Sequence, residues 1–98
     1  MDIGKVGLWF FLDAMSAPET AEFAKKTEKL GYKALWIPEA IGREPFAHAA
    51  YLLSHTERLV LATGIANIYG RDAITMSSAS KTVAEASGGR FLLGIGVS

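Results

Sequence analysis

The chain has no cysteine. Disulfides and thiolate metal sites are therefore excluded, and this usage fits a reducing cytoplasm, the expected location. It has no excess of charge, since ten basic and ten acidic residues cancel and lie scattered along the chain. Without a basic stripe or arm, nucleic acid is not an expected partner. No apolar run approaches the ~20 residues that a membrane helix needs, so no membrane association is expected. The start, Met1-Asp2-Ile3-Gly4-Lys5, lacks the basic-then-apolar layout of a secretory signal. No linker or low-complexity stretch divides the chain. What is present is 98 residues, half of them hydrophobic and a fifth charged. That is the composition of one domain with a packed core rather than of a disordered chain.

Apolar runs and helix signals alternate. Lys5 to Phe11 (KVGLWFF) has the length of a buried strand. Ser16 precedes Glu19 by three residues, the spacing of a capping box, with Pro18 in the first turn. A helix over 17–30 follows, with Phe23, Ala24, Thr27 and Leu30 on one face and Gly31 placed to end it. Residues 32–37 (YKALWI) read as a second strand, closed by Pro38 because proline cannot donate to a ladder. A helix is expected around 45–55, then a third strand over 59–65 (LVLATGI). Asp72 caps a helix over 73–86, Gly88-Gly89 closes it, and 91–97 (FLLGIGV) is the fourth strand. Strand starts near 5, 33, 59 and 91 recur about every thirty residues, the period of βαβ units. Right-handed crossovers then place the strands side by side in chain order. Two α/β folds accommodate this: a (β/α)8 TIM barrel, or one wing of a doubly wound sheet.

In both folds ligands meet the carboxyl ends of the strands. The candidates are Phe11-Leu12-Asp13, Pro38-Glu39-Ala40, Gly64-Ile65-Ala66-Asn67 and Gly96-Val97-Ser98. Glu39 stands out, because a carboxylate directly after a buried strand can bond a cofactor ring or carry a proton. From position alone, a solvated loop acid is the commoner outcome. Gly64-Ile65 is second, since glycine at a strand end permits a bulge or a close backbone approach. His48 and His55, seven apart on a helix, have no acidic or cysteine partner at ligand spacing, so a structural role outweighs metal binding. No metal site is expected. Gly94-x-Gly96 is a weak nucleotide signal, and the aromatic residues Trp9, Phe10, Phe11, Trp36 and Phe91 read as core and pocket wall.

The stretches LGYKALWIPEAIGREPF and LVLATGIANIYGRDAITMSSASKTVAEASGGRFLLGIGVS resemble the luciferase-like (β/α)8 flavoenzymes, above all their deazaflavin branch, the F420-dependent oxidoreductases. The resemblance implies the first half of a TIM barrel with parallel strands, so that residues 1–98 form part of one barrel domain ending after its fourth strand. It also implies coenzyme F420, or alternatively FMN, with hydride transfer to or from a small organic substrate. In the family a non-prolyl cis peptide at the third strand supports the ring, and Gly64-Ile65 occupies that position, with Ala66 following. The acid after the second strand matches Glu39, which the resemblance makes both cofactor-binding and catalytic. Many members carry a catalytic histidine next, where this chain has Ala40, which the resemblance places with Glu39, Gly64, Ile65 and Ala66 along the cofactor ring. Trp9 and Phe11, of matching strand parity, are the expected substrate-pocket wall. The alternatives are an FMN-dependent monooxygenase of the same superfamily and a non-catalytic half-barrel that assembles with itself. Because parallel edges invite pairing, the expected partner besides the small molecule is a second copy or the remainder of a barrel.

Overall fold

The computed structural model describes residues 1–97. Its elements run β1 (Leu8–Trp9), α1 (Ala17–Lys29), β2 (Ala34–Ile37), α2 (Pro45–Ser54), β3 (Val60–Thr63), β4 (Ala66–Asn67), α3 (Ala73–Ala86), β5 (Phe91–Leu92) and β6 (Ile95–Gly96). The main sheet has the order β1-β2-β3-β5, all parallel, and β4 pairs with β6 as a short parallel continuation. This is the α/β arc of four strands expected for the first half of a (β/α)8 barrel.

Register sorts the side chains into two faces. Leu8, Leu35, Leu61 and Phe91 lie in one row across the sheet. That row joins Ala21 and Ala24 of α1, Phe46, Ala49, Leu52 and Leu53 of α2, and Met76 and Val83 of α3 in a single core. Leu35, Leu52 and Leu61 are wholly buried, and each such side chain contributes about 1.5–3 kcal/mol. The neighbouring row, Trp9, Trp36, Ala62 and Leu92, must face the other way, because successive residues of a strand alternate. The helices thus cover one side, and the aromatic row lies on the side that is the interior of a barrel.

Local chemistry sets the helix ends. The Ser16 backbone N–H donates to Glu19 Oε1 and the Glu19 N–H to Ser16 Oγ, completing the expected capping box. Gly31 takes φ +97°, which leaves α1 by a route that side chains rarely adopt. Glu44 caps α2 by accepting from the Ala47 N–H, and Asp72 caps α3 by accepting from Thr75. At the far end of α2, the Arg90 guanidinium donates to the carbonyls of Leu53, Thr56 and Leu59 at 2.9, 3.2 and 3.0 Å. One side chain thereby ties together carbonyls at the end of α2, in the turn after it and at the start of β3.

Four expectations need correction. The first strand pairs only over Leu8–Trp9, with the Phe10 N–H adding one bond to the Trp36 carbonyl. Leu30 is exposed rather than part of the α1 core face, because it is the C-cap, where the helix has already ended. The third strand stops at Thr63, and the fourth is divided at Leu93-Gly94. The last two share one cause, described next.

Candidate functional site

The β3–β5 ladder breaks and resumes out of register. Ala62 lies opposite Leu92, thirty positions on, whereas Ala66 lies opposite Ile95, twenty-nine on. Three residues, Thr63-Gly64-Ile65, therefore face two, Leu93-Gly94, which defines a bulge in the third strand. The Thr63 hydroxyl fills the gap, donating to the Gly94 carbonyl and accepting the Gly94 N–H, both at 2.8 Å. Gly94 admits no side chain, because a Cβ would lie 2.3 Å from the Thr63 carbonyl oxygen. Within the bulge the Gly64–Ile65 peptide bond is cis. Its carbonyls are held from the β1 and β2 side: the Trp9 indole Nε1–H donates to Gly64 O at 3.0 Å, and the Glu39 N–H to Ile65 O at 3.1 Å. The indoles of Trp9 and Trp36 flank Gly64, each within van der Waals reach of the position its Cβ would take.

The side chain of Glu39 turns toward the segment after the bulge. Its Oε1 accepts from the Asn67 N–H at 2.7 Å and from Arg71 Nη1 at 2.9 Å, and its Oε2 accepts from Arg71 Nη2 at 2.7 Å. Arg71 also donates to the Asn67 carbonyl at 3.1 Å and to Glu44 at 3.3 Å, and its guanidinium lies over the Phe46 ring at 5.2 Å. The Arg71 hydrogen bonds hold the Glu39 carboxyl below its ordinary pKa, and with the Asn67 N–H they outweigh the burial that would raise it. Glu39 is therefore ionised at neutral pH with both oxygens engaged.

Other polar groups at the carboxyl ends are also tied internally. Asp13 accepts from the Gly42 N–H at 2.8 Å, joining the loops after β1 and β2, and Arg43 donates to the Met15 carbonyl. His48 is buried. The Thr20 hydroxyl spends its one proton on the Ala17 carbonyl at 2.7 Å, so it accepts from His48 Nε2 at 2.9 Å, which sets the tautomer. His55 is exposed against the Tyr51 ring, so both histidines sit in structural settings. Among the described residues no group of three or more His, Cys, Asp or Glu could hold a metal, and no helix is long and apolar enough to cross a membrane.

Of the residues singled out from the sequence, Trp9, Glu39, Gly64, Ile65 and Ala66 are brought together around the bulge. Ala40 follows Glu39 in the β2–α2 loop and is half-buried. Phe11 lies beyond the paired part of β1 and is exposed, while Phe10 turns to the helical side and stacks on Phe23 at 4.9 Å. Ser98 is outside the described residues. Sequence reading missed Arg71 and Thr63, and it named Asn67 only as one of the residues at a strand end. Of the missed residues, only Arg71 left a signal, as a cation in the loop before the Asp72 cap.

A parallel arc with its helices on one face and a bulge at the end of the third strand is the arrangement of the first four strands of a (β/α)8 barrel. The family model for luciferase-like monooxygenase matches residues 4–98, and the chain belongs to that family. It is 34% identical over 77 residues to a 5,10-methylenetetrahydromethanopterin reductase of Methanolobus tindarius, covering 78% of this chain and 24% of the reductase. The fold matches the coenzyme F420 dependent tetrahydromethanopterin reductase of Methanopyrus kandleri with a TM-score of 0.84, at 24% identity over 91% of this chain and 26% of that one. It also matches the oxygenating constituent of 3,6-diketocamphane monooxygenase from Pseudomonas putida, solved with FMN. That likeness has a TM-score of 0.76 at 19% identity, over 95% of this chain and 29% of that one. The chain thus spans about a quarter of the length of the curated relatives it matches.

Proposed function

We propose that this chain supplies one wall of the ring pocket in an F420-dependent oxidoreductase of the luciferase-like family, with FMN as the alternative cofactor. When bound, the ring would supply two-electron hydride exchange with a small organic substrate. The observation that carries the reading is the bulge. It sets the Gly64-Ile65-Ala66 backbone at the carboxyl end of the sheet, with no side chain on Gly64 and an indole on either side.

The donor set fits a ring and not a phosphate. Trp9, Phe11 and Ile65 offer apolar and aromatic surface, whereas the nearby cation Arg71 is consumed by Glu39 and Glu44. In this reading Gly64, Ile65 and Ala66 would support the ring, Glu39 and Ala40 would lie at its edge, and Trp9 and Phe11 would wall the substrate side. Glu39, the expected proton carrier, has both oxygens occupied. It can take up a proton only after the Arg71 pair opens, so its resting role is to hold the backbone of the site. F420 is preferred over FMN because the curated relative and the higher-scoring of the two structures described are both named as reductases of tetrahydromethanopterin compounds, the latter as coenzyme F420 dependent.

Titration of the full-length polypeptide with F420 and with FMN, followed by amide resonances, tests this. Micromolar binding that shifts Gly64, Ile65 and Ala66 is expected. Neither cofactor moving those amides would overturn the proposal.

A further inference from the structure

We infer that Arg71 is a positioning residue for this site, acting through Glu39 and Asn67 on the backbone that would support the ring; the inference rests on the reading just given. The guanidinium meets the Glu39 carboxylate fork to fork, with Nη1 to Oε1 at 2.9 Å and Nη2 to Oε2 at 2.7 Å. That geometry fixes direction as well as distance, and lysine cannot reproduce it.

The pair grips both backbone polar groups of one residue. The Asn67 N–H donates to Glu39 Oε1 at 2.7 Å, and the Asn67 carbonyl accepts from Arg71 Nη1 at 3.1 Å. Asn67 lies two residues beyond Ile65, whose carbonyl accepts the N–H of Glu39 itself at 3.1 Å. Glu39 thus holds the bulge through its main chain and the strand after it through its side chain. Arg71 sets where that side chain can be. At the start of the bulge, Trp9 Nε1 holds the Gly64 carbonyl at 3.0 Å. The segment from Gly64 to Asn67 is therefore fastened at both of its ends.

Arg71 is itself immobilised. Its side chain is 11% exposed, it donates to Glu44 at 3.3 Å, and it lies over Phe46. Glu44 is at the same time the cap of α2, accepting from Ala47 at 2.7 Å. The guanidinium consequently ties the bulge to the end of a packed helix. A cation so occupied is placed to set backbone geometry, not to bind a ligand anion.

The test uses the full-length polypeptide carrying Arg71→Met, Arg71→Lys or Glu39→Gln. Two readouts are followed: F420 and FMN affinity, and the Trp9 indole N–H resonance, assigned with Trp9→Phe. We expect Arg71→Met and Glu39→Gln to weaken cofactor binding about ten-fold or more and to move the Trp9 resonance, with Arg71→Lys intermediate. A merely structural role would lower the melting temperature and leave both readouts of the folded protein in place. That result in folded Arg71→Met, or in Arg71→Lys where the former does not fold, overturns the inference. Should the unsubstituted protein bind neither cofactor, the functional reading fails. The Trp9 resonance then decides the role of Arg71 by itself: a shift supports it and no shift overturns it.

Discussion

Thr63 and Gly94 bond each other in both directions, hydroxyl to carbonyl and N–H to hydroxyl, each at 2.8 Å. The pair stands where two parallel strands lose register, and a side chain does there what the ladder no longer can. Replacing Thr63 by valine keeps the shape and deletes both bonds, leaving the Gly94 N–H without its partner. A loss of about 1–3 kcal/mol is expected. Thr63→Ser, which keeps the hydroxyl, should recover most of it. Urea unfolding checks both, and equal stability of the valine and serine variants would remove the hydroxyl from the account.

Gly94 tolerates no Cβ, since the nearest atom would be a backbone oxygen 2.3 Å away. Gly94→Ala should therefore cost about 3 kcal/mol or more, because the main chain itself must move. Gly31 is the informative contrast. A Cβ there meets nothing within 4 Å, and only its φ of +97° resists substitution, at about 1–2 kcal/mol. Chemical denaturation of the two alanine variants should rank them in that order.

Arg90 donates to four groups at the end of α2 and the start of β3, including the Thr56 hydroxyl at 3.2 Å. Arg90→Met removes those charged-donor bonds, leaving Leu53 O its bonds from Thr56, and should lower stability by about 2–4 kcal/mol, since bonds from a charged donor are the stronger kind. Arg90→Lys should restore only part, because an ammonium cannot span carbonyls that a planar fork reaches. Faster amide exchange confined to the last turn of α2 would locate the damage.

Stability should fall in two steps on acidification. Burial, aided by the Arg43 charge and opposed by Asp13, lowers the His48 pKa below its ordinary 6.5. The unfolded imidazole therefore takes up a proton first, and stability present above 6.5 declines as the pH drops toward the folded value. The carboxyls of Glu28 and Glu39 form the second step. Burial would raise that of Glu28, but N–H groups of Glu57, Arg58 and Leu59 bond its charged form and prevail. Glu39 is lowered chiefly by Arg71. For both, stability is complete above the unfolded value near 4.5 and is lost as pH falls through the folded one. His48→Gln should abolish the upper step and Glu28→Gln should shrink the lower. Urea midpoints measured across the acid range check each, and a flat profile between about pH 7 and pH 5 would contradict the part given to His48.

The helices were the most legible part of the sequence. Ser16 with Glu19, and Asp72 ahead of Ala73, are caps whose partners lie three residues away, so spacing alone reveals them. Glu39 was legible as a position, the first acid after a buried strand. Its partner was not, because Arg71 is 32 residues further on in a loop without periodicity. Leu30 was misplaced because its helical spacing held good only as far as the end of α1. The break after Thr63 had a single local sign, Gly64 at a strand end, which permits a bulge without requiring one. VLATGI reads as one unbroken apolar run, and the cis bond at Gly64–Ile65 was expected only from the family resemblance.

Apolar runs, caps and turn residues were enough to set the alternation of strands and helices and their parallel order, because those interactions reach only a few positions along the chain. The family was legible only as a resemblance carried by two longer stretches. The tertiary structure alone decided which carbonyls the bulge leaves bonded, that Glu39 is an ion-paired clamp, and that Arg90 closes α2. Each of those depends on groups some thirty residues apart meeting across neighbouring strands, and a partner at that distance is chosen by register and packing, which no local pattern encodes.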